Sequence, residues 1–189
     1  MTKKIVIGSA LLLVGLAVGF LIVVSLQPSA FSVERSAAMD AAPATVFARV
    51  NDLQAWDAWS PWSKLDSKPK TTISTPSAGK GATFTWDGND EIGAGTLTIL
   101  DSKPDKSVEV EQAFIRPING KARMAFTFVS EGDGTKVTWK MDGTNDFFGK
   151  ALCMFMDMDA ILGKSFEQGL ANMKELVEKS DASPAEAAP

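Results

Sequence analysis

Five stretches in the middle of the chain change character at every second residue. "ATFTW" puts Ala82, Phe84 and Trp86 on one side; "TLTIL" does the same for Leu97 and Ile99. "VEVEQAF" sets Val108, Val110, Gln112 and Phe114 opposite Glu109 and Glu111, and "ARMAFTFV" sets Ala122, Met124, Phe126 and Phe128 against Arg123. "TKVTWKM" completes the series, with Val137, Trp139 and Met141 opposite Lys136 and Lys140. A period of two is the signature of a half-buried strand, because successive side chains leave a pleated backbone on opposite faces. The turn chemistry between runs ("DSKPDK", "RPING", "EGDGT") allows only short connections. Neighbouring strands therefore pair antiparallel in a meander, which leaves one continuous apolar face to be covered.

The chain supplies a cover. From Lys150 to about Lys179, apolar residues recur at Leu152, Phe155, Leu162, Phe166, Leu170, Met173 and Val177, spacings that define one stripe of a helix. A first strand through Val33, Arg35, Ala37 and Met39 precedes "DAAPATVFARV". There Asp40 or Ala42 stands at the cap, Pro43 in the first turn, and Val46, Phe47 and Val50 on the inner face. "NDLQAWDAW" reads as a second short helix that stops at Ser60, since Pro61 disfavours helical backbone before it. A composition of 45% hydrophobic and 22% charged residues suits one globular core. The acidic, Pro-bearing tail 181–189 is expected to be disordered.

Ahead of this lies "IVIGSALLLVGLAVGFLIVVSL", Ile5 to Leu26, without a charge. As a helix it is about 33 Å long, enough to cross a hydrocarbon layer of about 30 Å. A cleaved signal peptide would have a shorter apolar region and small residues around the cut, whereas Pro28 stands where a small residue is wanted. The expectation is an uncleaved anchor and connector over 1–30, followed by one soluble domain over 31–180. Lys3 and Lys4 favour a cytoplasmic N-terminus and place that domain outside the cytoplasm.

Several function classes drop out. The chain has no His and no Tyr, so His-based triads, Cys-His dyads and His-containing zinc sites are unavailable. Cys153 is the single cysteine and excludes an intrachain disulfide. With Lys3 and Lys4 set aside, the 19 basic residues become 17 against 23 acidic ones, and they form no cluster suited to nucleic acid. Asp146, Asp157 and Asp159 lack the tight spacing of a calcium loop, and no cofactor is called for.

The order of elements is strand, two short helices, a run of antiparallel strands and a long C-terminal helix. Together with "RSAAMDAAPATVFARVNDLQAWDAWSPW", "WDGNDEIGAGTLTI" and "FFGKALCMFMDMDAILGKSFEQGLANMKEL", it resembles the START-like, helix-grip superfamily, also called SRPBCC or polyketide cyclase/dehydrase-like, over Val33 to Glu178. The resemblance implies an α+β fold in which a curved antiparallel sheet wraps around the long C-terminal helix. It also implies an apolar groove, with the two short helices at its mouth. The same scaffold serves sterol and lipid carriage, cyclisation, hydrolysis and protein contacts, so fold alone does not select among them.

Trp56, Trp59 and Trp62 occupy seven consecutive residues and admit three roles, a plug that completes the core, a wall against a bound apolar molecule, or an anchor at a membrane surface. Met154, Met156 and Met158, with Phe147, Phe148 and Phe155, make a second patch at the start of the long helix, which either fills gaps in the core or forms an adaptable wall for a ligand. The expected ligand-binding set is Trp56, Trp59, Trp62, Trp86, Glu91, Phe114, Trp139, Met154 and Met158. Glu91 has the strand parity of Leu97 and Ile99 and would face the core, unless Gly93 and Gly95 introduce a bulge. The same parity allows a buried Arg35 and Glu91 pair, against the alternative that both lie near strand ends in solvent, since burying unpaired charge is costly. Glu91 is the candidate catalytic carboxylate. The expected function is a membrane-tethered domain that binds a hydrophobic small molecule or lipid. The alternatives are a cyclase or hydrolase working through a pocket carboxylate, and a protein-interaction module.

Overall fold

A computed structural model describes residues 2–66, 68–117 and 119–181. Of the tail expected to be disordered, 181–189, residues 182–189 lie outside the described residues, and Asp181 is the last residue of the C-terminal helix. The chain forms two compact units, one of residues 32–143 and 159–189, the other of residues 1–31 and 144–158.

The larger unit holds the sheet. Seven strands, β1 (Ala30–Met39), β2 (Lys70–Ile73), β3 (Thr83–Asp87), β4 (Ala94–Lys103), β5 (Ser107–Arg116), β6 (Gly120–Glu131) and β7 (Gly134–Thr144), pair in the order β1-β7-β6-β5-β4-β3-β2. From β3 to β7 the sheet is the expected antiparallel meander, and β2 extends it at the edge. The register carries the period-two pattern across it: Phe84 faces Leu97, Leu97 faces Gln112 and Gln112 faces Ala122 in one row, while Val108, Phe126 and Trp139 align in another. Register shifts at Ala94/Gly95 and Ile99/Asp101 mark the bulges that bend the sheet.

Helix α4 (Met158–Asp181) covers that face. Phe166, Leu170, Met173 and Val177 are buried at the predicted spacing, together with Val108, Val110, Met124, Phe126, Val137 and Trp139. Helix α2 (Pro43–Asn51) starts with Pro at its first position, where the missing N–H has no helical partner to lose, and Ala42 is the cap. It buries Val46 and Val50. Leu53–Ala58 forms a 3-10 helix capped by the Asp52 side chain, which accepts from the Gln54 N–H at 3.0 Å.

One strand was not expected, and one expectation needs correction. β2 carries no apolar alternation because it is a short edge strand whose first three residues are exposed. The long helical stripe is interrupted. Helix α3 (Phe147–Cys153) ends before α4 begins, so Leu152 and Phe155 do not share the α4 stripe, and Phe155 is 78% exposed. Nothing between 154 and 157 is a helix breaker by residue type, but Asp157 stands just ahead of α4, where Asp favours a new helix start.

The smaller unit is built on α1 (Thr2–Leu26). Its segment Ile7–Leu26 is long and apolar enough to cross a membrane, and 6% of that window is buried. The segment around α3 is tied to the end of this helix: the Asn145 N–H donates to the Ser29 carbonyl at 2.7 Å, and Lys150 Nζ donates to the Ser25 carbonyl at 3.4 Å. Asp146 caps α3 by accepting from the Gly149 N–H at 2.7 Å.

Candidate ligand-binding site

The tryptophans of the 3-10 helix point into the larger unit. Trp56 and Trp59 are buried with ring centroids 4.9 Å apart, and both indole N–H groups are satisfied locally, Trp56 by the Val50 carbonyl and Trp59 by the Arg49 carbonyl, each at 2.9 Å. Both meet Phe126 edge-on, and Trp59 also meets Trp139. Trp139 stacks on Phe166 of α4 at 4.2 Å with an interplanar angle of 8°. This approach to the helix requires Gly169, because a Cβ there would lie 2.9 Å from the Trp139 ring and 3.1 Å from Pro61. Asn172 on α4 donates to the Trp59 carbonyl at 3.1 Å, which fixes the 3-10 helix to α4. Trp62, half-buried, completes the cluster edge-on to Trp139 and Phe166.

A second aromatic group lies on β3 and β5, over Gly95 of β4. Trp86 stacks with Phe84, meets Phe114 edge-on and donates its indole N–H to the Ile92 carbonyl at 3.0 Å. Its ring occupies the place a Cβ on Gly95 would take. Phe84, Phe114 and Gln112 are half-buried. Among the described residues, Gln112 Oε1 and Trp139 Nε1 are buried polar atoms without a hydrogen-bond partner.

Glu91 departs from its strand parity. It sits in the turn ahead of β4, exposed, with its N–H donating to Asn89 Oδ1 at 2.9 Å. Gly93 follows with φ of 62°, and the register shift at Ala94/Gly95 is the irregularity that Gly93 and Gly95 allowed, the alternative that turns Glu91 outward. Arg35 does not pair with Glu91. It bridges β1 to α4, with Nη2 2.9 Å from Asp159 Oδ2 and Nε 2.9 Å from Glu167 Oε1, and its guanidinium occupies the place a Cβ on Gly163 would take. Hydrogen bonding to Asp159, then to Glu167, raises the Arg35 pKa, and Arg35 in turn lowers that of Asp159. Among the described residues, Thr135 is the buried polar side chain of the core, donating to the Ala41 carbonyl at 2.7 Å.

The smaller unit holds an open pocket of about 560 Å³. Met154 and Met158 line it, with Phe31, Phe155, Asn145 and Lys150 among the other walls. Strand and helix periodicity did not mark Phe31, Asn145 or Lys150, which come together only because the segment after β7 returns to the end of α1. The signal was present in the cluster of Met and Phe residues between 147 and 158. Of the nine predicted ligand-binding residues, then, Met154 and Met158 meet in this pocket. Trp56, Trp59, Trp62 and Trp139 meet in the core cluster, Trp86 and Phe114 at the second aromatic group, and Glu91 stands apart on its turn. No group of three or more His, Cys, Asp or Glu residues suited to a metal ion occurs among the described residues.

Solved structures share this fold. Protein CV1439 from Chromobacterium violaceum aligns with a TM-score of 0.58 at 14% identity, over 78% of this chain and 96% of that one. The Aha1 dimer from Colwellia psychrerythraea aligns with 0.56 at 15% identity, over 78% and 96%. StfQ, a di-domain ARO/CYC from the steffimycin biosynthetic pathway, aligns with 0.59 at 12% identity, over 82% of this chain and 53% of that one. At such identities the likeness concerns the fold. No curated protein matches the sequence. The family described as polyketide cyclase/dehydrase and lipid transport matches residues 30–178, so by sequence pattern and by its helix-grip architecture the chain belongs to that family.

Proposed function

We propose that this protein is a membrane-tethered domain that binds a hydrophobic small molecule or lipid outside the cytoplasm, and that its contact surface is the pocket after α1. The observation that carries this reading is that pocket: about 560 Å³, within the size range of small-molecule sites, and walled by Met154, Met158, Phe31 and Phe155. Methionine is unbranched and polarisable, so it follows the irregular outline of an acyl chain or a fused ring system at little cost. Asn145 and Lys150 at the wall give a polar end to an amphipathic guest. The family's lipid-transport description supports the same ligand class. In this reading Trp56, Trp59 and Trp139 serve packing, since each is buried against other rings.

The tether adds the supply. A pocket that begins at Gln27, one residue beyond Leu26, is held beside the lipid reservoir that α1 enters. Lys3 and Lys4 set the orientation. Purification of the full chain in mild detergent, solvent extraction and lipid mass spectrometry provide the test. A bound apolar molecule is expected, and Met154→Asp with Met158→Asp should empty the site. An empty wild-type protein would overturn the reading. The mass of the mature chain checks the tether, which an N-terminus near Phe31 would remove.

A further inference from the structure

We infer that the α3 segment is a second membrane contact: Phe147, Phe148, Met154, Phe155 and Met156 lie in the headgroup–acyl boundary of the bilayer that α1 spans. This rests on the reading of α1 as a membrane anchor. These side chains are exposed, Phe148 by 61% and Phe155 by 78%, although they are large and apolar. Such a cluster has to be covered, and its position within the smaller unit says by what.

Depth is set by two hydrogen bonds. The apolar span of α1 ends at Leu26. Lys150 Nζ reaches the Ser25 carbonyl, one residue inside that end, and the Asn145 N–H reaches Ser29, three residues beyond it. At about 1.5 Å rise per helical residue, the Lys150 contact lies within a few ångströms of the hydrocarbon edge. The α3 segment is thus held at the level where the bilayer changes from acyl chain to headgroup. A surface element with apolar residues on one side and a lysine beside them fits that layer. Rings enter the boundary, and the ammonium group stays among phosphates. This segment packs against α1, and both expose large apolar side chains, which favours lipid over a protein partner. The pocket of the smaller unit would then open beside lipid rather than into bulk water.

The test uses the full chain in phosphatidylcholine nanodiscs. In a Cys153→Ser background, single cysteines at Phe148→Cys, Phe155→Cys and Val14→Cys carry an environment-sensitive fluorophore. Quenching is read against phosphatidylcholine bearing a nitroxide near the carbonyl end of its acyl chain, and against aqueous iodide. Unchanged core tryptophan emission verifies the fold. The inference expects labels at 148 and 155 to lose most of their emission to the lipid nitroxide and to be shielded from iodide. If iodide quenches those two labels while the label at 14 stays shielded from it, the anchor stands and the second contact is refuted. If iodide quenches the label at 14 as well, the anchor fails and the inference falls with it. Phe148→Glu with Phe155→Glu gives an independent readout, a rise in iodide access to a label at Met156→Cys. No rise would also overturn it.

Discussion

Phe166→Ala removes the α4 side of the main aromatic stack. The wild-type ring is fully buried, lies parallel to Trp139 at 4.2 Å and meets the edge of Trp62 at 6.5 Å. Withdrawing a phenyl ring from such a site costs its transfer free energy, about 1.5–3 kcal/mol, plus the cavity it leaves. The cavity contribution depends on whether neighbours can collapse inward. Trp139 is braced by Phe126 at 4.9 Å, Trp59 at 5.6 Å and the backbone at Gly169, so collapse is blocked. The expected loss is therefore toward the upper part of the usual range of about 3–5 kcal/mol. For a domain of this size each kcal/mol moves Tm by roughly 2–4 °C, so Tm should fall by roughly 6–20 °C. Thermal unfolding of the full chain in detergent, followed by tryptophan emission, reads the change, because the indoles are themselves the reporters. Phe155→Ala, at an exposed ring, should stay within about 0.5 kcal/mol of wild type. A loss below about 1 kcal/mol for Phe166→Ala, or equal losses for both variants, would refute the packing of α4 on the sheet.

Gly95→Ala should destabilise by about 1–3 kcal/mol, through overpacking. The new Cβ would lie 2.5 Å from both the Ala113 carbonyl oxygen and the Trp86 ring, and a chemical denaturation curve reads the loss. The β1 to α4 clamp should be acid-sensitive. Arg35 holds the Asp159 carboxyl below its ordinary range, so the stabilisation is complete above about pH 4 and is lost as the pH falls through the lower folded-state value. Wild type should lose Tm faster below that pH than Asp159→Asn, by a small margin because the pair is exposed; parallel curves would contradict the clamp.

The sheet and its cover were legible because period two and the three-to-four spacing are direct consequences of backbone geometry. Phe126, Trp139, Phe166 and Leu170 are buried as those periods require. Parity alone could not decide where a backbone irregularity resets it. Glu91 follows the alternation of Leu97 and Ile99 in sequence, and of the two placements open to it the shift at Ala94/Gly95 and the turn at Gly93 select the one in solvent, as the two glycines allowed. β2 was missed because an edge strand with exposed Thr71 and Thr72 has no buried face to leave a mark. The break between α3 and α4 was missed because residues 154–157 are apolar or acidic and contain no Gly or Pro. The pocket was half-legible. Met154 and Met158 were named from composition, whereas Phe31 and Lys150 join them through a contact between residues more than a hundred positions apart.

The central claim is that an apolar guest occupies the membrane-side pocket of a tethered helix-grip protein. Photocrosslinking addresses it most directly. Full-length protein in membranes is exposed to a diazirine-bearing fatty acid, irradiated, digested and mapped by mass spectrometry. The account predicts adducts on the peptides holding Phe31 and residues 145–158, reduced by Met154→Asp with Met158→Asp. Adducts confined to the peptides of Trp59, Trp139 and Phe166, or none above a detergent-denatured control, would contradict it.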